Sequence, residues 1–352
     1  MGEDYPQVMT EIIQPHLLRF ASDHSPPVRI AFVSFCESTL SSHIHLPGEA
    51  ELSTNVQLIV MLLLLMADEV QEVQSEASRA LSTAASSSIE CPDHSLPHQG
   101  EDIEDGEIAL RNALQARSVP DTSDTLASEE IEPSKRYLKR NLKMISRAFV
   151  LGISSWTTGS QILYLRGLRK LTGEVGLDIS EVLEQLLLPL GSCLLDDDAA
   201  IRSAAELLCQ TLGEHLDCSS TELLVLPYIS GSLAGFDNSR ARAVGVRLTQ
   251  HLLIGHLSNP RVYASADELR SLLKNIGHLL VAFELHEFRD FLLMEAILLL
   301  VRQMIEVIKG DEGALDELTI ADLEFSIVTC LVLLMGCVQG DAEGPLILVV
   351  VL

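Results

Sequence analysis

Three groups of side chains have residue types and spacing that could do chemistry. Cys91, His94 and His98 are all zinc ligands by type. A tetrahedral site needs a fourth ligand at suitable spacing, and none follows. His215 and Cys218 form an H-x-x-C pair without the second pair a structural zinc site requires. Asp196, Asp197 and Asp198 resemble a fragment of a calcium loop, but the turn glycine and the distal bidentate glutamate are missing. These groups therefore read as a solvated loop, a helix end and an inter-helix turn. Neither a phosphate loop, a dinucleotide fingerprint, an H-E-x-x-H helix nor a nucleophile elbow is present. The expectation is a chain that is not an enzyme, with no catalytic residue, no metal, no cofactor and no small-molecule substrate.

Composition narrows the partners. The 352 residues carry a net charge of −26, from 24 Lys and Arg against 50 Asp and Glu. A phosphate-binding surface needs clustered cations, so nucleic acid is not an expected partner. The densest basic stretch is Lys135, Arg136, Lys139, Arg140, Lys143 and Arg147 at the start of one helix. It reads as a solvated face, a helix contact or a docking site for an acidic partner. The seven cysteines are odd in number, widely spaced and without a C-x-x-C, which favours a reducing compartment. The acidic first twenty residues do not read as a signal peptide. Two apolar runs, Leu58–Ala67 and Ile327–Val338, have ten and twelve residues. A bilayer span needs about 20, so both read as buried helices and no membrane is expected.

Such residues must be positioned by helices, because the core is rich in Leu, Ala, Val and Ile while aromatics are only 4%. A unit recurs along the chain. An apolar helix ends near an Asp, and the next helix opens with an aliphatic residue followed by Arg or Gln. The copies are Asp23 with Val28 and Arg29, Asp68 with Val73 and Gln74, Asp196 with Ile201 and Arg202, and more loosely Asp237 with Ala241 and Arg242. Small residues Ala31, Ala77, Ala205 and Gly245 follow three or four places on, and Phe35, Ala80, Leu208 and Leu248 follow at seven. That is the stripe of an amphipathic helix with a small side chain where a neighbour comes close. Val28 to Val73 is 45 residues and Ile201 to Ala241 is 40, in or near the HEAT-repeat period of about 40–47. Weaker copies start at Ser160–Gln161 and Phe288–Arg289. The Asp can cap the second helix, and the Arg or Gln can reach the Asp of an adjacent repeat.

The fold expected is therefore all-α, an α-solenoid of six HEAT-like hairpins with a remnant of a seventh. First helices fall at about 6–20, 54–67, 138–151, 180–195, 221–234 and 266–283, and a final helix at 318–338. Residues 86–134, rich in Ser, Pro, Asp and Glu, break the period and read as a disordered acidic loop. The chain so divides into N-terminal repeats 1–85, the loop 86–134, C-terminal repeats 135–338 and a tail 339–352. The single tryptophan, Trp156, stands at the turn of the third hairpin as a packing residue or a weak candidate partner anchor.

Three strings carry a family resemblance: Asp23–Arg29 (DHSPPVR), Met61–Gln74 (MLLLLMADEVQEVQ) and Arg140–Trp156 (RNLKMISRAFVLGISSW), the last followed by Gly159–Gln161. In this order, with an acidic break before the third, they resemble the HEAT-repeat axonemal dynein assembly factor family. The likeness runs from about Gln7 to Leu226. It implies a cytoplasmic protein-binding scaffold, without catalytic residues, that helps preassemble dynein arms for cilia or flagella. Its implied partners are dynein chains and chaperones. Family members are longer, so the chain is expected to be an internal portion or a shortened relative. The alternative is a generic HEAT adaptor, such as a transport receptor or phosphatase-type scaffold.

Overall fold

A computed structural model describes residues 16–41, 49–89, 132–155, 157–230, 239–258, 266–282, 290–310 and 317–340. Among these residues every regular element is helical and no strand occurs. The first hairpin pairs α1 (Leu17–Ala21) with α2 (Pro26–Ser41), and the second pairs α3 (Glu49–Met66) with α4 (Gln71–Ile89). In the third, α5 (Pro133–Arg140) and α6 (Leu142–Ile153) precede α7 (Thr158–Val175). A 3-10 segment, Gly176–Val182, leads into α8 (Leu183–Leu194) and α9 (Ala199–His215). The rest is α10 (Cys218–Leu224), α11 (Leu226–Ser230), α12 (Ser239–Ser258), α13 (Ala266–Val281), α14 (Phe291–Gly310) and α15 (Glu317–Gly340).

The helices stack in two layers. In the first layer α1 packs on α3, α3 on α6, α6 on α8, α10 on α13 and α13 on α15. In the second, α2 packs on α4, α7 on α9, α9 on α12 and α12 on α14. This is the helical-repeat solenoid expected from the period, an array in which each hairpin buries its apolar face against its neighbours. One irregularity shapes it: α5 packs against both α4 and α7, and α7 packs on α3. The opening of the third hairpin thus lies between second-layer helices of the second and third.

Two first-layer helices that read as continuous are broken and one second-layer helix is stopped, each for a local reason. Asn141 separates α5 from α6. Its N–H is shared between the Tyr137 and Leu138 carbonyls, and its side-chain amide donates to Tyr137 O at 2.9 Å. Such a side chain competes with the helix ladder. At the end of α7, Gly176 takes φ +60°, a conformation glycine adopts without steric penalty. Pro227 lacks the N–H that would continue the ladder to the Leu223 carbonyl, so α10 gives way to α11 at Val225.

The helix α4 continues through Ile89, past the boundary at 85 that composition suggested. Ser86 and Ser87 donate back to the Ser82 and Thr83 carbonyls at 2.9 and 3.1 Å, so these serines are satisfied inside the helix. The bulk of the expected acidic loop, 90–131, lies outside the described residues, as do Cys91, His94, His98, Trp156 and Asp237.

The core explains the first apolar run, whereas in the second Ile327 and Cys330 are buried but Val328 and Val332 are 58% and 54% exposed. Leu58 to Met66 are all buried, because α3 is enclosed by α1, α2, α4, α6 and α7. A helix apolar all round is a buried helix, and among the described residues none is long and apolar enough to cross a membrane. Cys36, Cys193, Cys209, Cys218 and Cys330 are free and buried. Burial pushes Cys36, Cys218 and Cys330 up to about 12, so they pack as small hydrophobes.

Candidate protein-binding surface

The turns between helices are built by the signature residues. Asp23 Oδ1 accepts from Ser25 N–H and Asp68 Oδ1 from Val70 N–H, both at 2.8 Å. Asp196 Oδ1 accepts from Asp198 N–H, and Asp198 Oδ1 from Ala200 N–H, also at 2.8 Å. Asp198 is thus the N-cap of α9, while Asp23, Asp68 and Asp196 hold the turn one step earlier. These backbone donors occupy one carboxylate oxygen each of Asp196 and Asp198 in the calcium-like run. Among the described residues no group of three or more His, Cys, Asp or Glu could hold a metal ion. His215 ends α9 and Cys218 opens α10, where the thiol is buried.

The Arg or Gln six residues after each Asp closes the turn. Arg29 donates to Asp23 O at 2.5 Å, Gln74 donates to Asp68 O, and Arg202 donates to Asp196 O at 2.6 Å. Gln161 does the same in the third hairpin, reaching Ile153 O at 3.1 Å, and Arg242 reaches Ile229 O at 2.9 Å. Among the turn residues, the tie between adjacent repeats is made by Arg29. Its Nη2 donates to Asp68 Oδ1 at 2.9 Å, and its Nε lies 2.7 Å from Oδ2. The aliphatic positions are less uniform. Val73, Ile201, Ala77 and Ala205 are buried, and Ala241 is half-buried. Val28 is 39% exposed, and Ala31 is exposed too. The helices α4 and α9 are covered by α2 and α7, whereas α2 is the first second-layer helix described. Its core residues are Phe32, Val33, Cys36 and Leu40.

Beside these turns a groove of about 700 Å³ opens along the second layer. Ala67 and Glu69, from the turn between α3 and α4, form one end. Ile162, Arg166, Arg169, Lys170 and Gly173 of α7 form one wall, and Ala200, Ser203, Ala204, Leu207, Thr211, Glu214 and His215 of α9 the other. A second cavity of about 260 Å³ shares Ala67, Glu69 and Arg166 and continues to Asp23, His24 and Arg29. Together they make one surface across four hairpins. Its walls alternate apolar and charged groups: Leu207 is exposed between helices, and Arg169 Nε donates to Thr211 Oγ1 at 3.0 Å. Lys170 pairs with Glu174 at 3.0 Å, while Arg166 is exposed where the two cavities meet.

Sequence reasoning singled out the turn residues and not this groove. Its members lie on exposed faces of α7 and α9, and no single helix pattern says which exposed faces lie side by side. Repeat spacing alone carries a signal, since Arg169 and Thr211 stand 42 residues apart.

No protein family and no curated protein sequence matches the chain. Among solved structures it is similar to an engineered protein at 12% identity and TM-score 0.28, covering 91% of this chain and 96% of that one. A second engineered protein, at 12% identity and TM-score 0.24, is covered to 80% by 93% of this chain. A chain in the structure of the Pds5–Scc1 complex has 10% identity and TM-score 0.25. That match takes in 92% of this chain, which spans 59% of the chain it matches. Likeness at this level leaves function to be argued from the chain's own residues.

Proposed function

We propose that this chain is a non-enzymatic, protein-binding scaffold that assists cytoplasmic preassembly of axonemal dynein arms. The single observation that carries the binding role is the groove that runs past Arg29, Arg166 and Leu207 across four hairpins. Stacked hairpins generate extended surfaces of this kind, and mixed apolar and cationic walls suit a protein segment better than a compact metabolite. The dynein reading is supported by the ordered strings at Asp23–Arg29, Met61–Gln74 and Arg140–Trp156. Dynein chains and chaperones are then the partners.

The test is affinity purification from ciliated cells, comparing the native chain with R166E/L207D. Dynein chains or chaperones should co-purify with the native chain and fall away with the variant. Recovery of neither with the native chain removes the dynein reading. The generic adaptor reading is less well served in its basic-cargo form. The groove sets Arg166, Arg169 and Lys170 against Glu69 and Glu214, which is not the acidic face a basic cargo needs.

A further inference from the structure

The helices α5 and α6 carry a second surface, opposite in charge to the molecule that bears it. From Pro133 to Ile153 there are six cations and no carboxylate. The helices α5 and α6 bury Leu138, Leu142, Ile145 and Phe149. That burial turns Arg136, Arg140, Lys143, Arg147 and Leu151 outward, at helical spacings of 4, 3, 4 and 4 residues. All five are exposed, and Leu151, at 76%, is the most exposed large hydrophobic residue described. Lys139, at the edge of this stripe, pairs with Asp178 of the 3-10 segment. Arg136, Lys143 and Arg147 pair with no carboxylate among the described residues.

We infer that this stripe docks a short acidic peptide segment of a partner protein, with one aliphatic residue seated on Leu151. Charge complementarity supplies the first argument. Positive potential is concentrated over twelve residues from Arg136 to Arg147, about 17 Å at the helical rise, on a chain of net charge −26. Size supplies the second. At physiological salt, screening acts over about 8 Å, so a ligand confined to the stripe feels its cations. A long polyanion or an anionic bilayer extends onto the acidic remainder and is repelled. The apolar end supplies the third, because Leu151 gives a peptide side chain a contact that a phosphate backbone has no use for. Extended chain at about 3.3 Å per residue covers Arg136 to Leu151 with roughly seven residues. This surface is separate from the second-layer groove, and its partner need not belong to the dynein machinery.

The experiment measures fluorescence anisotropy of the whole purified chain with a labelled synthetic octapeptide, Glu-Asp-Glu-Asp-Glu-Asp-Glu-Leu. Binding should weaken about tenfold in K143E/R147E and several-fold in L151S or with serine replacing the peptide leucine. It should fall with rising salt and stay unchanged in R302E, whose cation is exposed on α14. Should K143E/R147E unfold, as read by circular dichroism, K143Q/R147Q replaces it with the same expected direction. The inference is overturned if the peptide does not bind, or if binding ignores Lys143, Arg147 and Leu151. It is equally overturned if phosphatidylserine vesicles or a 16-base-pair duplex bind more tightly than the peptide.

Discussion

Arg29 joins two hairpins through one guanidinium, and its value depends on burial. It donates to Asp23 O within its own turn and faces the Asp68 carboxylate of the next. The two side chains are only 6% and 10% exposed. Removing one partner of a buried pair leaves the other charge uncompensated, which costs about 3–5 kcal/mol. R29A should therefore lower unfolding stability by about 3 kcal/mol in urea melts, with R29K losing much of the same amount because Lys lacks the planar fork. A cycle with D68N should show strong coupling; additive losses would mean that the pair contributes no cross-turn interaction. The contrasting case is Arg79, which holds Glu37 at 2.7 Å and Glu76 at 2.8 Å on an open face. Its hydrogen bonds keep the Glu37 carboxyl below the usual carboxylate range, yet solvent screens the pair. R79A should leave the urea midpoint within error, although R29A and R79A each delete one inter-hairpin arginine.

At the scale of helices, α9 and α12 cross closely enough that their backbones meet at glycines. A Cβ added to Gly213 would collide with the Leu252 carbonyl oxygen. One added to Gly255 would collide with the Gln210 carbonyl oxygen and stand 2.8 Å from the Gly213 Cα. These neighbours are backbone, so relief requires the helices to separate. Overpacking of this kind costs about 1–3 kcal/mol or more. G255A should destabilise by at least about 2 kcal/mol, whereas G173A, where no atom lies within 4 Å of the new Cβ, should be neutral or mildly stabilising as a helix substitution. Equal effects at the two sites in urea melts would show that the crossing tolerates separation.

This crossing also marks what the sequence made legible. Hairpins and turns could be read because they repeat locally, as Asp196 to Arg202 does. Gly213 and Gly255 are 42 residues apart, one repeat, but a glycine in a single helix gives no sign of what crosses it. The breaks at Asn141 and Val225 were missed because the apolar stripe runs through them. Val28 is exposed although it aligns with the buried Val73, because the period fixes their equivalence but not whether a helix covers each. The groove was invisible for the same reason: Arg166 and Leu207 become neighbours only when α7 and α9 stack.

At the scale of the molecule, burial among the described residues forms two apolar cores that share α12. Leu248 and Leu252 join the core built on α1 to α9, while Ala243, Val246 and Leu253 join the one built on α13 to α15. The same helix buries two histidines. His256 shares a hydrogen bond with Thr221 Oγ1 at 2.9 Å, and His251 lies 3.8 Å from Glu206. Burial pushes both down to about 4, with Arg247 adding to the effect at His251, while Asp217 and Gly213 partly oppose it at His256. The sign follows directly. Between pH 6.5 and about 4 the unfolded chain binds these protons and the folded chain does not, so stability falls as pH falls. Each histidine contributes about 1.4 kcal/mol per pH unit in that window. Between pH 7.5 and 5.5 the carboxylates stay ionised, so the slope reports the histidines. Lowering the pH across that range should remove about 2–3 kcal/mol in urea melts, and H251Q/H256Q should flatten the dependence. Because α12 belongs to both cores, acid should also loosen their joint. Hydrogen exchange at pH 5.5 should expose the amides of α13 and α15 before those of α3 and α7; simultaneous loss would mean that the two cores unfold as one unit.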